Sequence, residues 1–543
     1  MSRSDTIALI RAAITEHENY WRAERPMMRR LRDIYAGEFW STNRSAMFDE
    51  GSLRVQTSDA YSYIESYVAS LFTRSPSVEV AHDASAAGDP ATAAAAVNAF
   101  MHRQREAIEQ CSRLALIYPM AFLRLAPQTS TDLLNRVAVR AVPPWEVILD
   151  TDAGTWDEQR FIGHRYYLPL KEAREKFGAK QFRPVSKTIY FEPDDRTQPN
   201  AAELPDEYRF VELVEMFDMQ NDRLSIWSPC WKDGEDLLLT EPIPVRSYDD
   251  QPLTTIIPLY YSSQPENTLR GYSSLSRVYD QMVEKNIYRT FFANATRRAA
   301  RQFIVKRGAF DDEAMAKICS GYDGAYAETD SPEPLSTLIA PVPLPPLSAD
   351  LTRYLAQIED DLQRASQLSP AMRGEATKAT ATEITALAHY AASSLGRLAR
   401  ERDSALEVLA RTYVRTLYLL ADDDELSIVT VKGRPHVITP ERLDGRFRYS
   451  ALDQAATPLS DALKRQQFLS LLPVLSQTGV PPEAIREYLI REYDLPKDFN
   501  PPPAEPVDTA TLRKAPEAVD QAGDPTGRTG AETLVEQLTS AGV

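Results

Sequence analysis

Apolar residues along this chain switch between periods of about 3.6 and 2, and each switch marks an element boundary. Over the first forty residues Ile7, Ile10 and Ile14 recur at helical spacing. Tyr20, Trp21, Ile34 and Tyr35 continue the set, which predicts a long N-terminal helix. Arg22, Arg25, Arg29, Arg30 and Arg32 lie between these anchors and read as a solvated helix face. A second helix is predicted over 61–72, before Pro76, after which SVEV (77–80) begins a strand. An alanine-rich stretch predicts one helix over 90–118.

From Val137 to Ile257 the period falls to 2. VAVRAV (137–142), EVILD (146–150), FIGHRYYL (161–168), FVELVEMF (210–217) and RLSIW (223–227) read as strands. Turn signals separate them at Asp152-Ala153-Gly154 and Lys232-Asp233-Gly234. LKEAREKFGAKQF (170–182) is a short helix closed by Gly178. Strand follows strand with little helix between, so the sheet is expected to be largely antiparallel and the fold class α+β.

Helical period returns after Gly271-Tyr272-Ser273. Leu275, Val278, Tyr279, Met282, Ile287 and Phe291 form a stripe in a helix expected to end near Arg301. QFIVKRG (302–308) is a strand, and the six prolines between 332 and 346 predict extended chain without helix. Ser348 caps a further helix carrying Leu351, Tyr354, Leu355, Ile358, Leu362 and Ala365. AMRGEATKATAT (371–382) is polar and poor in anchors. Thr380 and Glu383 then form a capping box at the start of the longest helix. Its apolar face runs through Ile384, Leu387, Ala391, Leu395, Leu398, Leu406, Leu409, Tyr413 and Leu417. About 40 residues at ~1.5 Å each span ~60 Å, longer than one globular domain ordinarily needs. Strands are predicted at SIVTV (427–431) and HVIT (436–439), with FRYSAL (447–452) as a third, and helices over 461–472 and 482–493. The proline-rich residues from Asn500 onward read as a flexible tail.

Charge narrows the class of function. With 61 Lys+Arg against 78 Asp+Glu, the 543 residues carry −17. That opposes gripping nucleic acid over the whole surface, while permitting local basic patches or a surface past which DNA slides. Cys111, Cys230 and Cys319 are scattered, which excludes a disulfide framework and a Cys-based zinc finger and suits a reducing compartment. The N-terminus lacks the apolar core of a signal peptide. The most apolar stretch, Leu114 to Leu123, is about half a membrane span, so a soluble intracellular protein is expected.

Catalytic signatures are absent from the sequence: no G-x-x-x-x-G-K-[ST], H-E-x-x-H, C-x-x-C or G-x-G-x-x-G occurs. Ser273 stands in G-x-S-x-L, where a nucleophile elbow has a second glycine in place of Leu275, and it reads as a helix cap. His389 reads as a packed residue of the long helix. The run Asp422 to Glu425 reads as a solvated loop before a cation site, and Asp150 and Asp152 lack the remaining ligands of a calcium loop. No catalytic residue, metal site or cofactor is expected.

Several stretches, in this order, resemble the portal (head-to-tail connector) proteins of tailed bacteriophages, most closely those of short-tailed phages. They are YSYIESYVASLFTRSPSVEV (61–80), FIGHRYYLPLKEAREKFG (161–178), VELVEMFD (211–218), PLYYSSQPENTLRGYSSLSRVYDQMVEKNIYRT (258–290) and RGEATKATATEITALAHYAASSLG (373–396). The resemblance covers most of residues 20–495 and rests on the colinear set, since each motif alone is weak. It implies a multidomain portal fold with wing, stem, clip and crown. Residues 1–272 would form the N-terminal wing, 273–301 and 350–367 the two stem helices, and 302–349 the clip. Residues 368–380 would be the tunnel loop, 381–458 the wing's long helix and strands, 459–499 the crown and 500–543 the tail.

The same resemblance implies a cyclic ring, usually a homododecamer, at one capsid vertex of the virion, assembled in the host cytoplasm. Double-stranded DNA would pass through its channel, driven by a separate terminase large subunit because this chain has no nucleotide-binding loop. Major capsid, scaffolding and head-to-tail adaptor or tail proteins would be further partners, with no membrane. Arg373 and Lys378 in the tunnel loop are the DNA-proximal candidates. Arg297, Arg298 and Arg301 at the foot of the first stem helix are DNA contacts, inter-subunit ion pairs or ordinary solvated surface, and Lys306 and Arg307 are clip candidates. Two other classes compete: another oligomeric virion component such as a minor capsid or tail-hub protein, and a hydrolase on an unfamiliar scaffold, for which no acid, base and nucleophile stand at recognisable spacing.

Overall fold

The computed structural model describes residues 2–42, 48, 52–83, 88–128, 130–178, 182, 184–185, 209–229, 236–242, 254–263, 271–299, 303–320, 327–341, 349–366, 381–422, 426–431 and 434–452, with backbone only at 42, 184–185, 240–242, 298–299, 303, 319–320, 341, 349–351, 366, 381–394, 431 and 434. The chain divides into two compact units, 1–463 and 464–543. The tunnel-loop segment, the helices expected over 461–472 and 482–493, the crown and the tail lie outside the described residues.

Helix α1 (Arg3–Ala36) starts at a capping box in which Ser2 and Asp5 satisfy each other's backbone N–H groups. It ends at Gly37, whose φ of 81° lets the chain turn left-handed. The short α2 (Phe39–Thr42) follows, then α3 (Asp59–Leu71) and strand β1 (Val78–His82). The single helix expected over 90–118 is two, α4 (Pro90–Arg103) and α5 (Arg105–Ile117). Gln104 leaves helical geometry between them (φ −96°, ψ 12°), and its Oε1 accepts from Val139 N–H at 3.1 Å. The break is thus spent on a tie to the neighbouring sheet.

The central body comprises β2 (Ala121–Pro127), β3 (Val137–Val142), β4 (Val147–Leu149), β5 (Phe161–Pro169), α6 (Leu170–Phe177), β6 (Pro184–Val185), β7 (Phe210–Asp218), β8 (Arg223–Ser228), β9 (Leu237–Pro242) and β10 (Ile256–Leu259). Strands β4-β5-β7-β8-β9 form one sheet, with β6 also on β7, and β10-β2-β3 form a second. Every pairing is antiparallel, so the fold is α+β as the strand-after-strand pattern requires.

Then come α7 (Tyr279–Ala299), β11 (Phe303–Val305), α8 (Asp312–Ser320), α9 (Leu335–Leu338), β12 (Ile339–Pro341) and α10 (Ala349–Ser366). Two expectations change here. Regular helix begins at Tyr279, with turns over 274–278, and one helical turn occurs inside the proline-rich stretch. Pro334 stands just before that turn, where the missing N–H costs nothing and its carbonyl accepts from Thr337 N–H at 2.9 Å.

The forty-residue α11 (Ala381–Leu420) is followed by β13 (Ser427–Val431), β14 (Arg434–Ile438), α12 (Pro440–Leu443) and β15 (Phe447–Ala451). β13 and β14 form a hairpin, but β15 does not extend it. It pairs with β1, in register from Val78 opposite Ala451 to His82 opposite Phe447. One large core gathers α3, α4, α5, α11 and the smaller sheet, including Ile64, Phe100, Leu116, Phe122 and Leu409. Tyr413 of α11 stacks on Phe100 at 3.7 Å between centroids. Each such side chain contributes about 1.5–3 kcal/mol when fully covered. A second small cluster seats Ile10 and Ala13 of α1 on the larger sheet.

Candidate functional site

The hairpin made by α7, the segment carrying β11 to β12, and α10 is the part of the chain that the sequence singles out. Its start is fixed to the end of α5. Tyr272 N–H donates to Ser262 O at 2.7 Å, and Leu275 N–H to Leu116 O at 3.2 Å. The buried Ser273 hydroxyl donates to Ile117 O at 2.6 Å and accepts from Ser276 N–H at 3.0 Å. The serine therefore caps the turn leading into α7, and its hydroxyl is occupied by backbone. Gly271 lies so close to Pro119 that a Cβ would sit 1.7 Å from its carbonyl oxygen.

The buried face of α7 departs from the expected stripe. Leu275, Val278, Tyr279 and Met282 are covered, but Phe291 is 50% exposed. The face continues instead through Asn286, Thr290 and Asn294. Polar residues remain buried there because they bond the backbone of Leu53, Val55 and Thr57. Lys285, also buried, bridges Asp59 at 3.0 Å and Glu359 at 3.3 Å, tying α7 to α3 and α10. Nothing in an apolar period announces these residues; the available signal is Asn, Thr and Asn at strict i, i+4, i+8 spacing.

α7 and α10 run antiparallel. Lys285 meets Glu359 while Tyr288, further along α7, meets Tyr354, earlier in α10, with ring centroids 5.1 Å apart. The Tyr354 hydroxyl also donates to Glu284. At the far end β11 and β12 pair antiparallel, from Phe303 opposite Pro341 to Val305 opposite Ile339. Asp311 caps α8 through a 2.7 Å bond from Ala314 N–H. Large apolar side chains stay outward on this hairpin: Ile304 is 60% exposed and Leu335 64%.

Of the basic candidates, Arg297 is exposed on the last turn of α7, and Arg298 follows it in the helix backbone. Lys306 is paired with Glu333 inside its own segment, so its charge is already answered there. Arg307 is exposed beside it. Arg301, Arg373 and Lys378 lie outside the described residues, as do the side chain of His389 and Asp423 to Glu425. Asp150 and Asp152 are bridged by Arg160, at 2.7 and 2.9 Å, and the Arg160 guanidinium lowers the Asp150 carboxyl below its usual range. Among the described residues no three His, Cys, Asp or Glu side chains converge as a metal site. None of the described helices is long and apolar enough to cross a membrane.

Three further buried polar groups escaped the sequence pattern. Arg402 of α11 is buried, donates to Leu71 O at the C-terminus of α3 and lies 5.7 Å over the Phe72 ring. His17 of α1 is buried with Nε2–H donating to Trp145 O at 3.0 Å; burial first, then Arg165, lowers its pKa to about 4. His164 of β5 is buried, stacked on Tyr166 at 5.3 Å between centroids, with neither ring nitrogen hydrogen-bonded among the described residues. Burial, with Arg124 and Arg140 adding to it, holds His164 neutral. Compared with protein families and with curated proteins, the chain matches none of them.

Proposed function

We propose that this chain is the protomer of a phage portal: a ring-shaped channel through which double-stranded DNA is packaged and later released, and to which tail components attach. The observation that carries the reading is the α7–α10 hairpin. Two antiparallel helices joined through a strand-bearing segment keep Phe291, Ile304 and Leu335 outward, where a single copy leaves them wet. A head-to-tail ring closes by covering such a face with the next copy. Twelve copies at −17 carry a charge near −200, which keeps phosphate contacts short-lived while DNA moves. Energy comes from a separate terminase motor.

Sedimentation of the full chain tests the reading. The wild type is expected as a large closed oligomer, and Ile304→Asp with Leu335→Asp as folded single copies. Unchanged assembly in that double variant removes the hairpin from the interface, and a wild type that sediments as one copy removes the ring. The tunnel loop has its own test. Arg373→Ala with Lys378→Ala leaves assembly intact and impairs packaging or retention of DNA; normal packaging and retention take these residues out of the mechanism.

A further inference from the structure

The polar row on α7 has a geometry of its own. Asn286, Thr290 and Asn294 stand four residues apart, a rise of about 6.0 Å per step. One edge of an extended chain repeats every two residues, at about 6.6 Å. The repeats match over three positions, two steps, and Leu53, Val55 and Thr57 occupy the matching places. Asn294 accepts from Leu53 N–H at 2.9 Å and donates to Leu53 C=O at 2.8 Å. Thr290 accepts from Val55 N–H at 2.9 Å and donates to Val55 C=O at 3.1 Å. Asn286 Oδ1 accepts from Thr57 N–H at 2.9 Å. Two of these pairs reproduce the double exchange between neighbouring antiparallel strands, with helix side chains standing where a strand's backbone would be.

The strap's own side chains contribute little at its first two residues: Leu53 is 46% exposed and Arg54 is exposed. At Leu53 and Val55 the hold is on backbone, while the Thr57 hydroxyl adds a side-chain bond to Asn286 Oδ1 at 3.0 Å. From the opposite side, Trp40 Nε1–H of α2 donates to the same Val55 carbonyl at 3.0 Å, and Phe39 N–H donates to Gln56 Oε1 at 3.0 Å. The Val55 oxygen thus accepts from α2 with one lone pair and from α7 with the other. The row also has a donor to spare, since Asn286 Nδ2 is buried without a partner among the described residues.

We propose that the Asn286–Thr290–Asn294 face of α7 is a receptor for extended polypeptide backbone, that Leu53–Thr57 is its resident in cis, and that the doubly bonded Val55 carbonyl couples the N-terminal helices to α7. All the groups belong to one protomer, so the inference stands whether or not the chain forms a ring.

Residue-resolved hydrogen exchange on the full chain tests it. Asn294→Ala raises exchange at the Leu53 amide, Thr290→Val at Val55 and Asn286→Ala at Thr57, each about tenfold or more, with smaller changes at the other two. Thr290→Ser keeps the hydroxyl and restores protection at Val55. Trp40→Phe removes the indole N–H together with one ring of the indole that packs on Phe39, and raises exchange at the Val55 N–H, which is bonded to Thr290 and not to Trp40. Amides of α5 report whether each variant is folded. Leu53→Ala, expected to be silent, keeps the test open if a row variant unfolds. Exchange rising evenly along 53–57 whichever residue is changed, equal loss in Thr290→Ser and Thr290→Val, no response to Trp40→Phe, or loss of protection in Leu53→Ala overturns the proposal.

Discussion

Two buried polar residues, Arg402 and His17, carry consequences that can be read one residue at a time. Arg402 is wholly covered and its guanidinium bonds a carbonyl at the end of α3. Arg402→Ala leaves that carbonyl buried without its donor and opens a cavity, so a loss of about 2–4 kcal/mol is expected in urea unfolding. The apolar face predicted for α11 skips from Leu398 to Leu406, and Arg402 fills the missing position between them. The gap was visible in the sequence. Its meaning was not, because only the packed structure brings the Leu71 carbonyl to it. His17 makes stability depend on pH. Folded His17 holds its proton only below about 4, whereas the unfolded ring titrates near 6.5. Between these values the unfolded state binds more protons, so stability falls as pH drops from 6.5 toward 4, by about 3 kcal/mol from this group. Unfolding free energies of wild type and His17→Gln, compared at pH 7 and pH 4.5, check this. Gln retains a donor for Trp145 O, and between these two pH values its curve is expected to be flatter by about 2–2.5 kcal/mol; parallel curves contradict it.

At the scale of elements, legibility followed the source of each element's stability. α11, α3 and strands β4, β5, β7 and β8 of the large sheet are held by apolar faces of regular period, and the sequence announces them, whereas β6 and β9 were not among the predicted strands. α7 was read correctly only to Met282, because beyond it the buried face is chosen by hydrogen bonds to Leu53, Val55 and Thr57, more than two hundred residues away in the chain. The division of α4 from α5 escaped for the same reason, since Gln104 turns away from helix to reach Val139. β15 was visible as a strand, but its partner β1 lies too far away in sequence for period to reveal it. The junction ahead of α7 is a further long-range tie, made by close approach of backbone to backbone. Gly271→Ala drives a methyl group into the Pro119 carbonyl, with Tyr260 Cβ at 3.2 Å behind it. A loss above about 3 kcal/mol, or failure to accumulate folded protein, is expected in thermal unfolding. A variant as stable as wild type contradicts the close approach.

For the whole molecule, the α+β class and the succession of body, helix, strand-bearing segment, returning helix and long helix were all legible from period and turn signals. The basic candidates were less so. Charge can be counted in sequence, but Glu333, which answers Lys306, is brought to it only by the pairing of β11 with β12. In the proposed ring, copies of this chain stand side by side around an opening, each covering the outward face of its neighbour's α7–α10 hairpin. Direct electron-microscope imaging of the purified full-length protein tests that claim most directly. End-on views with cyclic symmetry around an open centre are the predicted result, and fields of isolated compact particles at high concentration would contradict it.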